Sequence, residues 1–200
     1  MPSELITPKF SVSFAKTQAR EGYLLLTDDP NDKGKETYSG ISRAFNPFWS
    51  GWVIIDACRQ REDFPECLCS SELLTQMVAG FYRHNYWDVN RLDSMGAQEI
   101  ADEMFDSGVN CGAGMVAQWL QRSLNLLNLR ATRWPDLVVD GEIGGLTITA
   151  LQAFLAKFKP LHLVNLLNGY QVSHYIQITA ADQIDEVYLI GWMERVTITH

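Results

Sequence analysis

Between Ala113 and Leu129 the chain repeats apolar residues at helical steps. Val116, Trp119, Leu120, Leu124 and Leu127 form one stripe, and Gln118, Gln121, Arg122 and Asn125 stand opposite it. Steps of three and four residues fit a helix and not a strand, whose side chains alternate. Such a stripe must be buried against something, and the rest of the chain offers mostly further helices. Phe10 to Arg20 reads as a helix ending near Gly22, a C-cap residue. Ser70 or Ser71 caps a helix through Leu73, Leu74, Met77, Val78 and Phe81 toward Tyr86. Ala97 to Phe105 is a short helix that stops before Gly108. Leu146 to Phe158 is closed by Pro160, and Leu161 to Ile178 and Ala181 to Val196 complete the series. Away from the termini, no segment alternates strictly over a strand length. The expected fold class is therefore mainly α.

One region breaks the pattern. Thr27 to Ser42 is dense in Asp, Asn, Gly, Lys and Ser, with one Pro, which is the chemistry of a short polar loop or hairpin near the N-terminus. A shorter loop, Trp134 to Glu142, carries Pro135 and the turn Asp140-Gly141. Phe45 to Ile55 reads as a connector into a helix.

Composition narrows the function. The 200 residues are 46% hydrophobic and only 20% charged, enough for a packed core and unlike a disordered chain. The 16 Lys and Arg against 24 Asp and Glu give a net charge of −8, which argues against nucleic acid and against anionic membrane surfaces as partners. No run of about 18 apolar residues exists, so no membrane insertion is expected. Met1 to Phe14 has no basic segment followed by a continuous apolar stretch, so it does not read as a secretory signal.

Four cysteines, Cys58, Cys67, Cys69 and Cys111, leave free thiols, a disulfide or a metal site open. Cys67-Leu68-Cys69 is too tight for a usual zinc knuckle. There is no Gly-x-Ser-x-Gly elbow and no phosphate-binding glycine loop. No cofactor is expected. His84, beside Tyr86-Trp87-Asp88, reads as a structural histidine ahead of a catalytic one.

The polar loop and the helix before it carry the acid–base chemistry. Glu21-Gly22-Tyr23 stands at a helix end, and Asp29-Pro30-Asn31-Asp32-Lys33-Gly34-Lys35-Glu36-Thr37-Tyr38 follows. Cleaving a glycosidic bond takes one carboxylic acid to protonate the leaving oxygen and a second polar group to handle water. A glutamate doing so must be held neutral by burial, and Tyr23 and Leu24 to Leu26 supply apolar neighbours. The competing reading is a solvated helix-end glutamate paired with Arg20 or Lys16. Calcium spacing is not met from Asp28 or Asp32. Trp49, Trp52, Tyr86, Trp87, Trp119 and Trp134 suit either saccharide stacking or a core.

In order along the chain these motifs resemble the glycoside hydrolase family 108 N-acetylmuramidases, with a C-terminal predicted peptidoglycan-binding region. The resemblance rests on Glu21-Gly22-Tyr23, Asp29-Pro30-Asn31-Asp32 and Gly34 to Arg43. It continues through Asn46-Pro47, Trp49-Ser50-Gly51-Trp52, Tyr86-Trp87-Asp88 and Ile100 to Asn110. Val116 to Arg122, Val139 to Gly144, Gly191-Trp192 and Arg195-Val196 carry it through the C-terminal half. Two departures stand out: Glu21-Gly22-Tyr23 lacks one glycine of the family's usual Glu-Gly-Gly-Tyr, and Lys35 replaces the second glycine of Gly-Gly.

The resemblance implies a lysozyme-like helical fold. Residues 1–110 would be the catalytic region and 111–200 the helical peptidoglycan-binding region, packed as one unit. It implies cleavage of the β-1,4 bond between N-acetylmuramic acid and N-acetylglucosamine. Glu21 would be the general acid and Asp32 and Thr37 the holders of water, with Asp28, Asp29 and Glu36 as fallback carboxylates. Tyr38, Trp87 and Asn110 would bind substrate. In an inverting enzyme Glu21 and Asp32 would stand roughly 6.5–9.5 Å apart. The expected role is a phage lysin or secreted antibacterial effector, made in the cytoplasm and acting in the periplasm or wall after signal-peptide-independent export. Peptidoglycan is the expected partner, with an inhibitor (immunity) or delivery protein beside it. A basic cleft of Arg20, Lys33, Lys35 and Arg43 would offset the acidic charge. The alternative is a non-catalytic peptidoglycan-binding protein on the same scaffold.

Overall fold

The computed structural model describes residues 5–21, 25–28 and 36–196, with the side chains of Arg20 and Glu21 outside the description. It is mainly α-helical with a short three-stranded sheet near the N-terminus, a lysozyme-like arrangement as expected. The chain forms two compact units, one of residues 14–84 and one of residues 1–13 with 85–200.

In the first unit, α1 (Phe10–Glu21), from Phe14 onward, is followed by β1 (Leu26–Asp28), β2 (Glu36–Tyr38) and β3 (Ile41–Ser42). The strands are antiparallel in the order β1-β2-β3, pairing Leu26 with Tyr38, Thr27 with Thr37, and Thr37 with Ser42. Ser39 and Gly40 turn β2 into β3, both with positive φ (51° and 79°), the backbone twist that two-residue hairpins favour. Tyr82 holds this turn by donating its hydroxyl to the Ser39 carbonyl at 2.9 Å.

Helices α2 (Gly51–Cys58), α3 (Glu66–Cys69) and α4 (Glu72–Tyr82) close the unit. Ser71 caps α4 by accepting the Leu74 amide at 3.2 Å, as its position before the apolar periodicity predicts. Tyr38, Ile41, Trp52, Ile55, Leu74 and Val78 form its core. A π-helical turn, Arg83–Asp88, continues the chain.

The second unit is built on α5 (Gln98–Cys111), α6 (Ala113–Leu127), α7 (Gly145–Leu155) and α8 (Pro160–Ala181). α5, α6 and α8 pack on one another in all three pairings. α5 runs to Cys111 instead of ending at Phe105, because Asp106, Ser107 and Gly108 are buried in this packing. Burial outweighs the roughly 1 kcal/mol helix cost of a glycine. Phe10, Trp87 and Phe105 form an edge-to-face trio with centroids 5.6 to 5.9 Å apart. α8 stops at Asp182, whose carboxylate accepts the Ile184 amide at 3.0 Å, and α9 (Glu186–Met193) begins after a 3₁₀ turn.

The polar face of α6 is not simply solvated. Gln121 donates to Asp140 at 2.7 Å and accepts the Gly141 amide at 3.0 Å. Asn125 donates to the Leu137 carbonyl at 2.8 Å and accepts the Leu137 amide at 2.7 Å. One amide side chain per helical turn thus pins the 134–142 loop, because an amide both donates and accepts.

All four cysteines are free thiols, so no disulfide joins any two of them. Cys67 lies against Cys58, and burial raises its thiol above the ordinary range. Burial also pushes Cys111 up to about 11. Among the described residues, no helix is long and apolar enough to cross a membrane.

Candidate active site

The N-terminal unit brings a helix end and a hairpin into one body. α1 carries Glu21 as its last residue, one turn past Gln18. A cavity of about 360 Å³ lies along α1, lined by Phe14, Ala15, Gln18 and Ala19. These positions recur at helical spacing, so one face of α1 borders it. Gln18 is buried, and its Oε1 has no hydrogen-bond partner among the described residues.

The hairpin sorts its side chains by alternation. Tyr38 points into the core and is fully buried, and its strand partners Leu26 and Ile41 share that face. Thr37 therefore lies on the opposite face, half-buried and in register between Thr27 and Ser42. Three hydroxyl residues, one from each strand, make this face polar. Sequence spacing did not reveal the row, because Thr27 and Ser42 stand beside Thr37 only once the strands pair.

Glu36 begins β2 and is committed to structure. Arg43 donates to it at 2.9 Å, and Arg59 donates to its other oxygen. Arg43 also binds Asp56 through both terminal nitrogens, at 2.8 and 2.7 Å, and lies over the Trp52 ring. The Arg43 guanidinium holds the Asp56 carboxyl below the usual aspartate range. Arg43 is therefore enclosed by acids and is not the open cleft cation that the sequence suggested. Asp56 on α2 and Arg59, the residue that caps its C-terminal end, lie three residues apart, a spacing readable in the sequence, although their partners were not.

The remaining expected residues are distributed as follows. Asp32 and Asp29 lie outside the described residues, as does the Glu21 side chain. Asp28 is exposed at the end of β1. Trp87 and Asn110 belong to the other compact unit. Trp87 is fully buried, donates its ring N–H to Asp93 at 2.9 Å and packs on Phe10 and Phe105. Asn110 is half-buried in the last turn of α5. Trp52, Trp87, Trp119 and Trp134 are all buried, so these four indoles fill cores and offer no open stacking face.

Comparison with known proteins places this geometry. Residues 14–112 match the family model described as Glycosyl hydrolase 108, and residues 115–197 match the one described as Predicted Peptidoglycan domain. No curated protein sequence matches the chain. The solved structure of SagA from Brucella abortus superposes with a TM-score of 0.60 at 19% identity, covering 94% of this chain and 88% of that one. At that identity the likeness speaks for the fold alone.

Proposed function

Because the chain belongs to the glycosyl hydrolase 108 family and continues into a predicted peptidoglycan domain, we propose that it cleaves the β-1,4 bond between N-acetylmuramic acid and N-acetylglucosamine. The observation that carries this reading is the direct succession of the two modules, 14–112 and 115–197. A glycosidase module joined to a wall-binding module acts on the wall polymer it is held against. We assign catalysis to residues 1–110 and wall binding to 111–200.

In the proposed mechanism Glu21, at the end of α1, protonates the glycosidic oxygen. Asp32, from the segment between β1 and β2 in the sequence, and Thr37, on β2, hold the water that attacks the sugar. The hairpin gives Thr37 a fixed backbone and a polar face, and oriented water is worth more than mobile water. Glu36 is a poor substitute acid, since arginines occupy both of its oxygens. Tyr38 and Trp87 are fully buried, so neither side chain touches the sugar, and each contributes to binding only through the packing of its own unit. Asn110 supplies an amide at the end of α5. The proposed setting is the periplasm or wall, as a lysin or antibacterial effector with an inhibitor or delivery partner.

Mass spectrometry of fragments released from purified sacculi tests the reading. Fragments with N-acetylmuramic acid at the reducing end are expected. Binding to sacculi without any release would favour the non-catalytic alternative, which the shortened Glu21-Gly22-Tyr23 motif motivates.

A further inference from the structure

A second cavity, of about 320 Å³, opens between α6 and α8 in the C-terminal unit. Two helical stripes line it. Met115, Gln118, Trp119 and Arg122 recur at three- and four-residue steps on α6, and Tyr170, His174 and Gln177 face them from α8. Trp119 stacks on Tyr170 with ring planes 11° apart and centroids at 6.2 Å, and His174 lies 5.9 Å from the indole.

Among the described residues, Arg122 is the one lining residue that carries a permanent charge, and no carboxylate lines the cavity. It is exposed and forms no ion pair among the described residues, as is also true of Arg91, Arg130 and Arg133, but of these it alone is among the residues that line this cavity, whereas Arg43, Arg59, Arg61 and Arg195 each face an acid. In a chain of net charge −8, an uncompensated guanidinium in a cavity marks a place for an anion, and its planar fork fits a carboxylate. The amides of the rim point to the rest of the ligand. Gln118 makes no hydrogen bond among the described residues, and Gln177 donates only to Ser173, at 3.1 Å. A free amide on α6 and a lightly committed one on α8 can each donate to and accept from a peptide group.

The aromatic floor argues against a sugar ring. Trp119 is only 7% exposed, with Tyr170 stacked over it, so no open indole face is left for a pyranose. Met115 and Tyr170 instead offer small apolar surfaces suited to methyl side chains.

We infer that this cavity binds the acidic peptide stem of peptidoglycan, with Arg122 taking a free carboxylate and Gln118 and Gln177 bridging a peptide group. The inference rests on the wall-binding reading of residues 111–200 and names the part of the wall recognised there.

Titration calorimetry on the full chain tests it, with L-alanyl-γ-D-glutamyl-meso-diaminopimelate as the peptide probe and chitotetraose as the peptide-free glycan. The tripeptide is expected to bind. Arg122→Ala should weaken it roughly tenfold or more, Arg122→Lys should restore part, and Gln118→Ala should cost about threefold. Chitotetraose should bind equally to the parent and to Arg122→Ala. Absence of tripeptide binding, equal affinity in Arg122→Ala, or chitotetraose binding that Arg122→Ala abolishes would each overturn the inference. Reducing-end release from sacculi by the unaltered protein is read separately. Release without peptide binding rejects the peptide site and keeps the muramidase; peptide binding without release does the reverse.

Discussion

The two compact units are held together by different physics. The C-terminal unit is a helical core in which α5, α6 and α8 bury Ile100, Met104, Phe105, Leu120, Leu124, Leu163 and Leu167 against one another. The N-terminal unit is smaller and leans on specific links: a two-residue turn, a tyrosine hydroxyl, and the Arg43, Glu36, Asp56 and Arg59 cluster. Apolar packing tolerates exchange of similar volumes, whereas a positive-φ turn or a bidentate ion pair admits few substitutes. The family boundary and the packing boundary also differ. α5 falls within residues 14–112 by sequence match, yet it packs on α6 and α8.

The sharpest break between the units should come from Glu21→Gln. Losing a general acid costs about 10²–10⁴-fold in rate, read as reducing ends released from sacculi, with an unchanged melting curve. Full activity in that variant would remove the chemistry from α1. Asp32→Asn should lose less, since an amide still orients water.

Phe105→Ala tests the apolar side of the contrast. It should cost about 3–5 kcal/mol in urea unfolding, because it opens the Phe10, Trp87 and Phe105 trio. A loss near zero would mean that this core is not what holds the C-terminal unit.

Gly40→Ala tests the specific-link side. A Cβ there would overlap the Tyr82 hydroxyl, and φ is +79°. The expected cost is roughly 1–3 kcal/mol. In a Tyr82→Phe background the overlap disappears while the φ penalty stays, so the cost should shrink without vanishing. Equal costs in both backgrounds would assign the whole effect to the backbone. Ser71→Ala should remove about 1 kcal/mol through the lost α4 cap, again by urea unfolding.

The smallest effect is a pH response. The Gln121 amide and the Glu142 backbone N–H hold the Asp140 carboxyl below its ordinary range. A carboxyl depressed in the folded state contributes its full stability above the unfolded value of about 3.9 and loses it as pH falls through the lower folded value. The 134–142 loop should therefore loosen only below about pH 4, followed by Trp134 fluorescence. Asp140→Asn should flatten that response.

Much of the fold could be read directly. The α6 stripe, the Ser71 cap and the helices near 10–20, 146–158 and 161–178 follow from residues a few positions apart, and the structure has them. The end of α5 did not follow, since Gly108 reads as a stop until its burial is known; the split between the last two long helices was readable, but it falls at Asp182 to Asp185 and not between Ile178 and Ala181, because Asp182 caps Ile184. The proposed site is a set of residue types near a helix end and a hairpin, and both of those elements are in the structure. The commitment of Glu36 and Arg43 to each other, and of Asp56 and Arg59 to them, was not legible, because nothing local distinguishes a paired acid from a free one.

What the sequence by itself determined is the mainly helical character, the N-terminal hairpin and the family. Each depends on short-range periodicity, turn chemistry or motif order along the chain. Tertiary structure alone decided that four of the indoles are core, that the four cysteines stay unlinked, that Gln121 and Asn125 grip a loop, and that Arg122 meets no acid among the described residues. Those outcomes depend on which residues distant in the chain come within a few ångströms, and burial and hydrogen-bond satisfaction select among partners that the one-dimensional pattern leaves equivalent.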